Sequence, residues 1–231
     1  MRFEGPLLPA RFLRRWRRFA ADVALASGEV VRAHVPNSGR LSDTAYEGAP
    51  CWVMPVHGRT LPVRLELMAT RDGVLVGVNT QRSTPLALEA LELSVVRLPG
   101  LRNGWRAARE RSPVRGHRID LLLDDGNPYW VEVKNITFVR DGAALFPDAV
   151  TARGSRHIRL LAELARSGIR CAVLYVVQRD DASCVRVARE IDPEFARAAA
   201  EARTAGVAFV AAGVSVSLSE LRPSRPLPVE W

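Results

Sequence analysis

The stretch IDLLLDDGNPYWVEVK, residues 119–134, contains two strand-like runs joined by an Asp-Gly turn signal. On a strand, residues i and i+2 point to the same face, so Glu132 and Lys134 point together while the flanking valines point the other way. If the two runs pair through the turn, Asp120 lies near both polar side chains. The stretch therefore predicts an antiparallel pair of strands that brings two carboxylates and one lysine together in an apolar sheet.

Lys134 is the only lysine of the chain, because every other residue among the 33 lysines and arginines is arginine. An arginine side chain stays charged, whereas the pKa of a lysine can be lowered by burial. A lysine retained beside two carboxylates fits a chemical role that arginine cannot fill. The alternative is that one lysine remains by chance.

The spacing of Asp120, Glu132 and Lys134 is that of the PD-(D/E)xK nuclease signature. Two carboxylates can hold Mg²⁺ or Mn²⁺, with waters and a substrate phosphate as further ligands. Such a metal activates water, and the lysine can orient or deprotonate that water or neutralise developing charge. We predict these three residues as catalytic, with Asp120 and Glu132 as metal ligands. Because so short a pattern also occurs by chance, the alternative is an exposed Glu-Lys pair on a strand edge.

The amino-acid composition limits the classes of protein to which the chain can belong. The chain has 231 residues, 48% hydrophobic and 25% charged, which is typical of one large globular domain or two modest ones. Its three cysteines are few, widely spaced and odd in number, which argues against a disulfide framework or a zinc-ligand pattern and favours a reducing cytoplasm. No apolar run approaches the ~20 residues of a membrane span. We expect a cytoplasmic protein without membrane association, and a homodimer is compatible with these features.

The pattern of strand-like and helix-like runs changes near residue 85. Residues 1–85 contain short strand-like runs separated by turns, which indicates a small barrel or sandwich. In residues 86–231, strands alternate with helices, which indicates an α/β domain. Helices are predicted within residues 148–168 and 192–206, the second capped by Asp192, with Pro193 at its first position and Gly206 at its end. A buried parallel strand is predicted at 170–177, and a helix start with Thr84 as N-cap and Pro85 in the first turn.

The chain carries a net charge of +8, which attracts polyanions such as nucleic acid, although an inert basic surface is the alternative. Arginines interleaved with aromatic residues near the N-terminus suit a surface that follows a nucleic-acid backbone, although inward aromatics of a barrel strand are the alternative. The helix at 148–168 presents further basic side chains, which hold phosphates or form a solvated basic face. The predicted nucleic-acid-binding residues are Arg14, Arg15, Arg18, Arg153, Arg156 and His157. Glu110 is either an additional carboxylate at the metal or an exposed charge.

Several runs of the sequence resemble, in order along nearly the whole chain, the sugar fermentation stimulation protein A family. These runs are RRWRRFAADV, HVPNSGRL, RIDLLL, YWVEVKNITF and FPDAVTARGSRHIRLL. The resemblance implies an N-terminal OB-like β-barrel followed by a PD-(D/E)xK nuclease-like α/β domain with a mixed sheet. It implies a DNA-binding protein associated with regulation of sugar metabolism, notably maltose use.

Residue by residue, the resemblance places the nuclease-like motif on Asp120, Glu132 and Lys134. It adds further motif positions in a turn and a helix, namely His34, Asn37, Gly39, Arg153, Gly154 and His157. The run ERSPVRGHRID, residues 110–120, departs from the family pattern through Pro113 and His117.

Three functions follow as hypotheses. The first is DNA binding without sequence preference on a nuclease-derived fold, and the second is an active Mg²⁺-dependent nuclease. The third is a regulator with specific sites, which the lack of a helix-turn-helix pattern disfavours. We predict the first, with a nuclease-like metal site. The second stays the alternative, because the intact motif favours retained metal chemistry.

Overall fold

The computed structural model describes residues 1–58, 60–114 and 116–231. Within these residues it contains sixteen strands, three α-helices and a 3₁₀ turn at Thr80–Arg82. The helices are α1 (Ser83–Glu92), α2 (Ala152–Arg166) and α3 (Pro193–Thr204). The strands are β1 (Leu8–Trp16), β2 (Ala20–Leu25), β3 (Val30–His34), β4 (Pro50–Pro55), β5 (Val63–Ala69), β6 (Leu75–Gly77), β7 (Arg106–Val114), β8 (His117–Asp124), β9 (Pro128–Ile136), β10 (Val139–Arg140), β11 (Ala143–Phe146), β12 (Arg170–Val177), β13 (Cys184–Val187), β14 (Ala208–Val216), β15 (Leu221–Leu227) and β16 (Val229–Glu230).

The N-terminal strands form a closed barrel. Their order is β3-β2-β1-β4-β5-β6, and a further pairing of β3 with β5 closes the first five strands on themselves. Alternate residues point inward, so Phe12, Val23 and Leu65 fill the interior. The choice between barrel and sandwich is thereby settled for the barrel. Trp16 and Phe19 are 38% and 53% exposed, so only Phe12 of the three N-terminal aromatics points inward.

The second domain is built on a mixed sheet of order β15-β14-β12-β9-β8-β7. The predicted antiparallel pair is confirmed, because β8 and β9 pair from Leu121 opposite Val131 to Asp124 opposite Pro128. The predicted buried parallel strand is β12, which lies between β9 and β14 and runs parallel to both. Val131 and Val133 pack in the core that contains α1. The intervening Glu132 therefore faces the side covered by α2 and α3.

Both helices on that side lie within the predicted ranges, and α2 begins four residues after the start of its range. Thr151 caps α2 by accepting from the N–H of Gly154. Asp192 caps α3 by accepting from the N–H of Phe195. Gly206 follows α3 with a φ of 94°, a left-handed conformation that glycine adopts without strain.

The start of α1 differs from the prediction. The helix begins at Ser83, and Arg82 rather than Thr84 occupies the N-cap position. The chain is already turned by the preceding 3₁₀ turn, which Asn79 caps by accepting from the N–H of Gln81. Pro85 lies in the first turn, as predicted. The proposed division of the chain into residues 1–85 and 86–231 falls inside α1 and stays a prediction.

A small second sheet of order β10-β11-β13-β16 is not predicted from the sequence. Its strands have only two to four residues, which is too short for a recognisable alternation of polar and apolar side chains. The three cysteine thiols are buried and free. No helix in the described part of the chain is long and apolar enough to cross a membrane.

Buried polar contacts join the barrel to the second domain. The buried guanidinium of Arg179 binds Asp43, from the barrel side, and donates to the carbonyl of Thr137 at 2.7 Å. The N–H of Gly77 donates to the carbonyl of Gln178 at 2.9 Å. A Cβ on Gly77 would lie 2.5 Å from the side-chain oxygen of Gln178, so this close approach requires glycine. We call these contacts the polar seam.

Candidate metal and nucleic-acid site

A cleft of about 430 Å³ lies where the barrel meets the second domain. Strands β8 and β9 supply its carboxylates, the N-terminus of α2 supplies one wall, and the barrel loop at residues 37–39 supplies another. The predicted functional residues that line it are Arg18, Asp120, Glu132, Lys134, Arg153 and His157. The fold therefore brings together residues separated by more than a hundred positions in the sequence.

Glu132 is the centre of the site and is only 3% exposed. Its Oε1 accepts from Lys134 Nζ at 2.5 Å and lies 2.5 Å from His157 Nδ1. Its Oε2 is buried and has no hydrogen-bond partner among the described residues. Burial opposes ionisation of this carboxyl, but Lys134 and His157 outweigh burial and hold its pKa below the ordinary value. The site therefore contains a carboxylate with one oxygen left over for a ligand.

Asp120 is the second carboxylate. Its Oδ2 accepts from the backbone N–H of Val133 at 2.7 Å. Burial, and then the negative charge of Glu132, raises the pKa of Asp120 to about 6. Two carboxylates held this close repel each other unless a cation or a proton lies between them.

The residues fit a hard divalent cation. The unpartnered Oε2 of Glu132 is a buried oxygen that lacks a donor, and Asp120 adds a second carboxylate at the same cleft. The described residues contain no cluster of three or more His, Cys, Asp or Glu side chains arranged for a metal ion. A site with two carboxylates is still the usual form for Mg²⁺, which keeps several waters and binds substrate phosphate.

The burial of Lys134 distinguishes the two interpretations of the Glu132–Lys134 pair, a functional site or an exposed pair on a strand edge. The side chains of Lys134 and Glu132 are 12% and 4% exposed, so the alternative of an exposed Glu-Lys pair is wrong. They are buried because this part of β9 pairs with β12 and its polar face is covered by α2, whose His157 contacts Glu132. The lone lysine therefore lies inside the cleft with its ammonium on Glu132.

The predicted nucleic-acid-binding residues divide into two groups. Arg18, Arg153 and His157 line the cleft, and the last two lie one turn apart on α2. Arg14 and Arg156 are not among the lining residues. Arg156 is exposed on α2, and its role in binding stays a prediction. Arg14 donates to Asp22 at 3.0 Å and lies over the ring of Trp16 at 4.2 Å.

Arg15 has a structural partner set that the sequence does not reveal. Its guanidinium donates to the carbonyls of Asn37 and Gly39 at 2.5 Å and to that of Arg18 at 2.7 Å. These bonds fix the barrel loop that walls the cleft. Its hydrogen-bonding groups are engaged with backbone oxygens, which limits what they can offer to a phosphate.

Glu110 lies outside the cleft. The register of β7 and β8 pairs Arg109 with Leu121 and Arg111 with Ile119, which places Glu110 opposite Asp120. Its carboxylate accepts instead from Arg118 at 2.8 Å, and its side chain is 68% exposed. Of the two interpretations of Glu110, the exposed charge describes its position.

Sequence reasoning missed Asp148, which lines the cleft. Its Oδ2 accepts from the N–H of Arg40 at 2.9 Å, and a Cβ on Gly39 would overlap the same oxygen. Asp148 thus ties the barrel loop to the segment that precedes α2. The available signal was a carboxylate three residues before the capping Thr151, at the entrance to a helix with basic side chains.

Comparison with protein families assigns both domains. Residues 13–78 match a family model described as the SfsA N-terminal OB domain. Residues 81–220 match one described as the sugar fermentation stimulation protein RE domain. The expected OB barrel and nuclease-like mixed α/β domain are therefore confirmed.

Full-length relatives agree with this assignment. A sugar fermentation stimulation protein homologue from Pseudomonas fluorescens is 41% identical, over 99% of this chain and 98% of that protein. One from Geobacter metallireducens is 42% identical, over 99% of each. The solved structure of Pyrococcus furiosus SfsA in complex with Ca²⁺ is 30% identical, with a TM-score of 0.90 over 100% of this chain and 98% of that one.

Proposed function

The chain belongs to the sugar fermentation stimulation protein (SfsA) family, and we propose that it binds DNA without sequence preference in the cleft that carries Asp120 and Glu132. The observation that carries the proposal is the buried Oε2 of Glu132, which lacks a partner beside a second carboxylate. A cation at these carboxylates, with Arg18 and Arg153 along the cleft, forms a surface complementary to phosphates.

We propose Mg²⁺ or Mn²⁺ as the cation, held by Asp120 and Glu132. The Pyrococcus furiosus relative is described in complex with Ca²⁺, a cation that also prefers oxygen ligands. When bound, such a cation supplies Lewis acidity toward a phosphate oxygen and lowers the pKa of a coordinated water. Lys134 places a positive charge beside Glu132, where it can neutralise charge on a bound phosphate.

The second candidate function is hydrolysis of the phosphodiester bonds of the bound nucleic acid. It is favoured by the burial of Lys134 in the cleft, because a protein that only binds backbone would be served equally by arginine. In this function Lys134 orients the attacking water or accepts its proton. His157 positions Glu132 through the contact at Nδ1.

A role in sugar metabolism, including maltose use, is the remaining part of the proposal. The described residues contain no helix-turn-helix with a recognition helix, because α2 packs on the sheet and against α3. A regulatory effect would therefore not depend on a recognition helix.

Two titrations test the proposal. Calorimetry with Mn²⁺ should detect binding to the wild type and at least a tenfold loss in Asp120→Asn, which keeps an acceptor for the N–H of Val133. Fluorescence anisotropy in Ca²⁺, with several unrelated duplexes, should give equal affinities that fall steeply with salt. Equal Mn²⁺ affinity of the two proteins would overturn the metal site. Absence of duplex binding at low salt would overturn the DNA-binding function.

A further inference from the structure

The hairpin of β7 and β8 leaves the sheet beside the cleft. Strand β8 pairs with β9 only from Leu121 onward, so the preceding part of the hairpin is two-stranded. We call residues 109–114 and 116–119 the basic ribbon. Strand β7 is the edge of the six-stranded sheet, and most side chains of the ribbon are exposed. The ribbon is therefore accessible to a ligand that also reaches the cleft.

The charge of the basic ribbon is unbalanced. Its exposed charged residues include Arg109, Arg111 and Arg118 against one carboxylate, Glu110, which already pairs with Arg118. Within the described part of the chain, neither the Arg109 nor the Arg111 side chain has a hydrogen bond or ion pair. Many other arginines are bound to carboxylates or carbonyls, as Arg15 and Arg179 are. The Arg109 and Arg111 side chains are therefore free to bind an anionic ligand.

The arginines on the two faces of the ribbon indicate which class of anionic ligand it fits. Arg118 precedes Asp120 by two residues, so it lies about 7 Å along the same face of β8. Arg109 pairs with Leu121 and Arg111 with Ile119, and the left-handed φ of 49° at Glu110 interrupts the regular alternation between the two arginines. Leu121 packs in the core that contains α1 and Ile119 in the core that contains α2 and α3, so the two arginines neighbour residues of opposite faces. The ribbon thus carries cations on both faces and begins at a residue of the cleft. A groove of duplex nucleic acid admits a two-stranded β-ribbon and has phosphates along both walls.

Two other roles, protection of the sheet edge and pairing with a second copy of the chain, explain the arginines of the ribbon less well than binding of nucleic acid. Charged residues on an edge strand prevent it from pairing with other chains, but a single arginine can achieve this. Pairing of β7 with a second copy would set arginines near arginines, and like charges opposite each other destabilise a sheet. Neither role requires cations on both faces next to the cleft.

We propose that the basic ribbon is a second nucleic-acid contact, in which Arg109 and Arg111 bind backbone phosphates of a duplex whose neighbouring segment occupies the cleft. This inference rests on the proposed function. It adds a surface outside the cleft and makes a duplex of sufficient length the preferred ligand.

The test compares Arg109→Gln/Arg111→Gln with the control Arg166→Gln/Arg222→Gln. Both double variants lose two exposed positive charges, and Arg222 lies on β15, the opposite edge of the same sheet. Binding to a duplex of about 21 base pairs, or two helical turns, is measured by anisotropy in Ca²⁺ over a series of salt concentrations. We expect the ribbon variant to bind about tenfold more weakly and its log–log salt dependence to fall by about 2, because two phosphate contacts are lost. The control should stay close to the wild type.

Four results would overturn the inference in distinguishable ways. Equal losses in both double variants would mean that only net charge matters. If the ribbon variant binds with wild-type affinity and Arg18→Gln/Arg153→Gln loses binding, the duplex contacts the cleft but not the ribbon. Absence of duplex binding by the wild type would contradict both the proposed function and the ribbon contact. Loss of binding to anionic phosphatidylserine vesicles, with duplex affinity unchanged, would reassign the ribbon to a membrane.

Discussion

The carboxylate of Asp120 accepts the backbone N–H of Val133 in place of a strand carbonyl. The last backbone pair between β8 and β9 is Leu121 with Val131, and the side-chain bond at 2.7 Å continues the contact one step further. Asp120 is therefore both a candidate metal ligand and part of the sheet. Asp120→Asn separates the two roles, because an amide oxygen can still accept the N–H but loses the charge.

Metal-free Asp120→Asn should be more stable than the wild type at neutral pH. The folded-state pKa of Asp120 is raised from 3.8 to about 6, so its favourable contribution is complete below pH 3.8 and is lost as pH rises through 6. The uncharged variant escapes this loss, which amounts to at most about 3 kcal/mol for a shift of about two units. Urea unfolding with a chelator from pH 4 to 8 measures the difference. A gap that does not grow with pH would contradict the assignment of the shift.

Lys134→Arg should preserve the fold and nucleic-acid binding but remove any cleavage. Arginine keeps the positive charge beside Glu132 but is a poor proton acceptor, and its wider head group displaces a water held near the carboxylates. Losses of this kind typically amount to ~10²–10⁴ in rate. The measurement is a nuclease assay in Mg²⁺ and Mn²⁺ on a panel of duplex, single-stranded and branched substrates. Equal cleavage rates for the wild type and Lys134→Arg would show that lysine has no chemical role at this position.

Arg15→Gln should destabilise the protein more than Arg14→Gln. Arg15 satisfies three backbone carbonyls of the barrel, and leaving such groups unpaired costs about 2 kcal/mol. Arg14 is 66% exposed and shares Asp22 with Arg32, so its loss should cost less than about 1 kcal/mol. Chemical denaturation of both variants gives the comparison. If the order is reversed, Arg15 is not the residue that holds the loop.

Gly39→Ala should weaken the contact between the barrel loop and Asp148. The added Cβ overlaps the carboxylate that accepts the N–H of Arg40, so either the loop or Asp148 must move. Overpacking of this kind costs about 1–3 kcal/mol. In an Asp148→Ala background the same change should cost less, and a double-mutant cycle of unfolding free energies measures the difference. Additive effects would show that the overlap is relieved without loss of the contact.

The sequence predicted the motif-bearing part of the fold well. Period-two alternation and the Asp-Gly turn were enough for the β8–β9 pair, and Asp192, Pro193 and Gly206 were enough for the ends of α3. These features depend on neighbouring residues, so they can be recognised from a short segment. The same holds for the grouping of Asp120, Glu132 and Lys134, which follows from strand geometry.

The parts that depend on distant residues were not predictable. Arg15 and Arg18 look equivalent in the run RRWRRF, yet one holds a loop and the other lines the cleft, because the loop carbonyls that Arg15 binds, those of Asn37 and Gly39, lie more than twenty positions away. Asp148 has its partner at Arg40, more than a hundred positions away. Strands β10 and β16 have two residues each and exist because neighbouring strands pair with them.

The polar seam also determines how the protein meets its ligand. Arg179 and Gln178 of the polar seam each bind a group from the barrel, so separation of the two domains would leave a buried charge and a buried carbonyl unpaired. The two domains therefore behave as a preformed clamp with a fixed aperture rather than as jaws on a hinge. On the proposed function, any adaptation in shape would fall to the nucleic acid that brings a phosphate to Glu132.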